Sequence, residues 1–123
     1  MTQSQKERLK ELRAWAKENI AGKEVFHNGL NCNIMFTVTG IKEYLNQPHE
    51  FYLEKNELIK DILNIIICSD YLGFVIFKER KSHIFETKML GNSSWLIANE
   101  YKGRGIIFYS ISDNPKVLTG IIK

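Results

Sequence analysis

The chain has 123 residues, with 44% hydrophobic and 25% charged residues, the size and usage of one globular domain. This composition excludes a disordered tail. The longest unbroken apolar run, Ile65-Ile66-Ile67-Cys68, is far short of the ~20 residues a membrane-spanning helix needs. The net charge is +3, and the excess lies in residues 62–123, with eight Lys/Arg against five Asp/Glu. It gathers in Lys78, Arg80, Lys81, Lys88, Lys102 and Arg104, a bias that draws polyanions without being a nucleic-acid signature by itself.

The opening MTQSQKERLKEL is charged from residue 6 and has no apolar core, which predicts no secretory signal and a cytoplasmic location. Residues 4–21 read as an amphipathic helix, because Leu9, Leu12, Trp15, Ala16 and Ile20 recur at three- and four-residue steps. Gly22 supplies its stop. Residues 1–22 are thus expected to dock on the domain or to serve as a linker, with residues 23–123 as a single α+β unit. Lys23 to His27 reads as extended, Asn28-Gly29 as a turn, and Cys32 to Thr39 as a strand. A helical turn over Ile41 to Leu45 follows, and Pro48 ends it. Asn56 is expected to cap a second helix running to about Ser69, apolar nearly all round and so buried at the heart of the fold.

Beyond Asp70 the pattern changes to aromatic and β-branched strands: Leu72 to Phe77, His83 to Met89, Trp95 to Tyr101 and Ile106 to Ile111. Their connections are too short for crossover helices, so successive strands should pair antiparallel. Val117 to Ile122 is expected to add an edge strand. The predicted fold is α+β: N-terminal helices, then an antiparallel meander of at least four strands packed on a central helix.

Cys32 and Cys68 stand 36 positions apart inside apolar segments and have no CxxC companion, which suggests small core residues in a reducing compartment. His27, His49 and His83 lack the spacing of a helix-borne metal site, so neither a metal nor another cofactor is expected. Nucleotide-binding glycine loops, HExxH and GxSxG are absent. Folding logic leaves a polar remainder of His49, Lys42, Lys55, His83, Tyr109, Ser110 and Ser112. His49 follows Pro48 in a polar loop beside Asn46, where function and simple exposure are both open. Lys42 and Lys55 stand where two helices start and could meet phosphate, or be ordinary surface lysines. Alternation puts His83 on the face of Phe85, Thr87 and Met89, and puts Ser110 with Ser112; Tyr109 cannot join those serines without a bulge.

The strings GIKEYLNQPHE, KNELIKDI, HIFETKMLGNSSWLIANE and GIIFYSISD resemble the phage-associated branch of the barnase–EndoU–colicin–RelE nuclease superfamily, over roughly residues 25–113. The resemblance implies a compact helix-plus-four-strand domain and, in many members, a metal-independent ribonuclease serving as a toxin or phage accessory effector. Such an enzyme needs a base for the 2′-hydroxyl proton, an acid for the leaving 5′-oxygen, and donors around the phosphorane. On this reading His49, His83, Lys55 and Ser110 are catalytic, and Lys42, Asn46 and Ser112 bind substrate. The partners are RNA and a cognate immunity or antitoxin protein, with no membrane. The rivals are a non-catalytic RNA- or protein-binding module and a structural domain of a phage or mobile element.

Overall fold

A computed structural model describes residues 1–123. The first helix, α1 (Gln3–Asn19), opens with a reciprocal cap: Thr2 Oγ1 accepts from the Gln5 amide, and the Thr2 amide donates to Gln5 Oε1. Its apolar stripe buries Leu12, Ala16 and Ile20 in the core. A hairpin of β1 (Glu24–His27) and β2 (Cys32–Met35) follows. The second strand is shorter than its β-branched sequence suggests. Thr37 Oγ1 accepts from the Gly40 amide, so the chain turns into α2 (Val38–Asn46), nine residues where the sequence predicts a turn of Ile41 to Leu45. Gly40 lets α2 lie directly on a sheet strand: a Cβ there would collide with the Phe108 carbonyl oxygen.

The helix expected from Asn56 to Ser69 is in fact three pieces. They are α3 (Tyr52–Glu57), a 3₁₀ turn (Leu58–Asp61) and α4 (Ile62–Cys68). Asn56 caps nothing; it is buried inside α3. The break has a packing reason. Ile59 and Ile62 are three residues apart, the 3₁₀ period, and Ile62 and Ile66 four apart, near the α period; the change of pitch keeps all three fully buried. Only that face is covered, since Ile67 is 44% exposed. Ile62→Ala and Ile66→Ala should each cost roughly 2–5 kcal/mol, while Ile67→Ala should stay within about 0.5 kcal/mol; chemical denaturation measures all three.

The four later strands are β3 (Asp70–Phe77), β4 (Arg80–Met89), β5 (Asn92–Tyr101) and β6 (Gly105–Ser112), joined antiparallel in chain order. The predicted meander is present within a larger sheet of order β1-β2-β6-β5-β4-β3, mixed because β2 runs parallel to β6. The expected last strand is replaced by a 3₁₀ turn (Pro115–Leu118), after which only Ile122 bridges to Phe74 on β3. The sheet curls: His27 packs edge-on against Phe85 of β4 at 4.8 Å between ring centres, and Gly29 lies against Tyr71 of β3. The β1–β2 hairpin therefore reaches back over the helix-bearing face. Both cysteines are free and exposed, contrary to the core expectation; Cys32 starts β2 and Cys68 ends α4. No helix is long and apolar enough to cross a membrane.

Candidate functional site

Two bulges decide which side chains meet. On β3, Tyr71 pairs with Phe85 and Gly73 with Ile84, so Leu72 is one residue too many for β4. Gly73 takes φ +127° there, with the Ile122 carbonyl where a Cβ would be. The extra residue brings Tyr71 and Phe74, three apart, onto one face on either side of His83. Their rings lie 5.6 and 5.9 Å from the imidazole. His83 thus keeps the face shared with Phe85 and Met89, at an end of the sheet where the core gives way to polar groups.

His83 is 5% exposed, and both ring nitrogens are engaged. Nδ1 meets the Tyr71 hydroxyl at 2.7 Å and Nε2 meets Glu100 Oε1 at 2.8 Å. The Glu100 side chain is 43% exposed, so the chain of bonds opens to solvent at its carboxylate end. Burial pushes the Tyr71 phenol above its ordinary pKa, and the negative charge of Glu100 and proximity to Cys32 push the same way. The phenol therefore stays protonated at neutral pH. With Nε2–H donated to Glu100, Nδ1 is free to accept from Tyr71, a carboxylate–imidazole–hydroxyl series of the kind that activates nucleophiles.

Glu100 also lines an open groove of about 500 Å³ at the β3–β4 and β5–β6 turns. Lys78, Arg80, Lys81 and Lys102 surround it together with the carboxylate of Glu79, and Tyr101 forms part of its wall. Arg80 and Arg104 lie over the Tyr101 ring at 5.0 and 5.4 Å, and Lys81 over Phe74 at 4.6 Å. Most of the basic excess noted in the second half of the sequence thus converges beside the His83 group.

The other expected residues are placed differently. His49 Nε2 bonds Ser94 Oγ at 2.8 Å, and Nδ1 accepts from the Phe51 amide at 2.9 Å, a neutral imidazole pinning its loop to β5. Burial holds its pKa below the ordinary value; Asp113 opposes this and Lys55 adds to it. Ser94 and the partner of His83, Ala98, are four residues apart on β5, so the two histidines are separated by about 13 Å of strand. They do not share a cleft. Lys55 points inward rather than to a phosphate. It is fully buried, and Nζ donates to the carbonyls of Tyr44, Gln47 and Leu45 at 2.7, 2.8 and 3.4 Å, closing the C-terminus of α2. Ser110 and Ser112 do share a face, but it is the one opposite His83. The second bulge places Tyr109 between the pairs Ile97–Ser110 and Ala98–Phe108, and there it lines a depression with Ile97 and Asn99. Ser112 Oγ accepts from the Asn114 amide. Lys42 and Asn46 are exposed on α2.

Burial lowers the Lys55 pKa to about 7, with Asp113 opposing. The unfolded chain, with an ordinary lysine, then binds more protons between about pH 7 and 10.5, so raising the pH through this window favours the folded state. The stability gap between wild type and Lys55→Met should widen from pH 7 to 10, measured by urea denaturation at each pH.

Comparison with known proteins adds one decisive match. Residues 3–109 fit the model of the family described as large polyvalent protein-associated domain 3. The chain belongs to that family. No curated protein and no solved structure matches it. The matched stretch of this polyvalent-protein-associated domain runs from the start of α1 to β6, and so includes Tyr71, His83, Glu100 and the groove cations. Sequence reasoning passed over Tyr71 and Glu100. The available signal was Glu100 in the apolar run Trp95 to Tyr101, two residues after Ala98 and so on its face. His27, set aside from the sequence, is a buried brace: Nε2 bonds the Ser69 carbonyl at 2.8 Å, and Nδ1 accepts from the Leu30 amide. No group of three or more His, Cys, Asp or Glu side chains is arranged to hold a metal.

Proposed function

We propose that this domain is a metal-independent ribonuclease that cleaves RNA through attack of the 2′-hydroxyl on the adjoining phosphate. The observation that carries this reading is the Tyr71–His83–Glu100 chain, whose carboxylate end lies in the wall of a groove where four cations outnumber Glu79 and Glu100. In the first step the 2′-oxygen forms a bond to phosphorus as the 5′-oxygen leaves. Glu100, the member of the chain that lines the groove, takes the 2′-hydroxyl proton, while His83 Nε2–H orients its carboxylate and the Tyr71 hydroxyl fixes the imidazole tautomer. The proton then passes from Glu100 to the departing 5′-oxygen, so it ends where the broken bond was. Arg80, Lys81 and Lys102 offset the charge that grows on the phosphorane oxygens.

His49 and Lys55 hold the α2–α3 connection on this reading, and Ser110 and Ser112 belong to the far face. The resemblance to phage-associated nucleases supports the same activity and suggests a toxin or accessory-effector role with a cognate inhibitor. A non-catalytic RNA-binding module is the second reading, favoured by the low exposure of His83, 5%. Incubation with a labelled single-stranded RNA separates the two: cleavage is expected on the first reading, and binding without cleavage on the second.

A further inference from the structure

The face of α1 beside its core stripe carries Lys10, Arg13 and Lys17, and Lys42 stands across from them on α2. Together with Ala14, Val38 and Ile41 they line a groove of about 300 Å³ that contains no carboxylate. None of the four cations takes part in an ion pair, and the Arg13 Nε–H is buried without an acceptor. Arg8, one turn earlier on α1, is the contrast, since Glu57 and Glu11 take its guanidinium at 2.6 and 2.9 Å. Four unpaired cations around one groove repel one another, a cost that a bound polyanion removes.

We infer that the α1–α2 groove binds the phosphate backbone of single-stranded nucleic acid. It shares no residue with the Tyr71–His83–Glu100 group or with the groove beside it, and it stands whether or not the domain cleaves RNA. Lys10, Arg13 and Lys17 span seven residues of helix, about 10 Å of regularly spaced positive charge. A polymer with repeating backbone phosphates matches such a row, whereas one small anion would use only part of it. The groove holds none of the large exposed apolar side chains, which lie elsewhere at positions such as Phe26, Leu53, Ile76 and Phe77. A docked protein would have little there to bury. The groove also lacks aromatic rings, so it would hold the strand by its phosphates without reading base identity.

Fluorescence anisotropy with a labelled single-stranded oligodeoxynucleotide tests this. The probe has no 2′-hydroxyl, so binding is read apart from any cleavage. The Lys10→Gln/Arg13→Gln/Lys17→Gln variant should bind roughly 10- to 100-fold more weakly at low salt. The slope of log K against log salt should shrink by about 2, as three lost phosphate contacts require. Arg8→Gln should leave both quantities near wild type, and thermal melting should show all variants folded. No binding by the folded wild type, an unchanged slope in the triple variant, or an equal loss in Arg8→Gln would overturn the inference. So would polyglutamate of matched length competing as well as the oligonucleotide, because an acidic peptide would then be the better occupant.

Discussion

His83→Gln is expected to slow RNA cleavage by roughly 10²–10⁴-fold, the usual contribution of a positioned acid–base group. Glutamine keeps the size and some hydrogen bonding of the imidazole but lacks the two opposed ring nitrogens that tie Glu100 to Tyr71 and hold its carboxylate in place as the base. The loss should fall on kcat, because His83 is buried behind both partners and holds no surface that a phosphate could reach. Tyr71→Phe should act in the same direction, since it keeps the ring beside Phe85 at 5.3 Å while removing the hydroxyl. His49→Gln is the contrast. It disturbs the bond to Ser94, so it should cost stability and leave the cleavage rate within a few-fold of wild type. Single-turnover kinetics, with circular dichroism on each variant, distinguish these outcomes. Equal activity in folded wild type and His83→Gln would remove the imidazole from the mechanism.

Replacing the ribose 5′ to the cleaved bond by 2′-deoxyribose should abolish cleavage at that bond. The attacking oxygen belongs to the substrate, and nothing in the Tyr71–His83–Glu100 group substitutes for it. A chimeric oligonucleotide with one deoxyribose at a mapped cleavage site makes the measurement within a single molecule. Neighbouring ribose positions should still be cut. Continued scission at the deoxy position would mean that water or a protein group attacks phosphorus.

The strands after Asp70 were legible because alternation and short polar turns are local properties, and the β4 register puts His83 on the face that alternation assigned to it. The β2–β6 pairing was not legible. Parallel partners that lie about seventy residues apart leave no mark in either segment's pattern. The bulges at Leu72 and Tyr109 escape a period-two count for a similar reason, since each inserts one residue that the partner strand alone defines. This is why Tyr71 could not be assigned to His83 from sequence, and why Tyr109 and Ser110, adjacent in the chain, come to line the same side. Lys55 shows the limit for charged residues. Its sequence neighbours, Glu54 and Asn56, suggest a surface, yet the α2 carbonyls offer three acceptors that draw the ammonium inside. Cys32 and Cys68 err in the opposite direction, because apolar neighbours along the chain do not fix which way a strand's first or a helix's last residue faces.

On the proposed mechanism, one proton-moving group beside a basic groove cleaves RNA without a metal. End-group analysis by mass spectrometry, after incubation of wild-type protein with single-stranded RNA in excess EDTA, decides this. Cleavage should be undiminished by the chelator, with 2′,3′-cyclic phosphate on the first products and 5′-hydroxyl on their partners. Chelator-sensitive cleavage leaving 3′-hydroxyl ends, or no cleavage of any RNA by the folded protein, would contradict it.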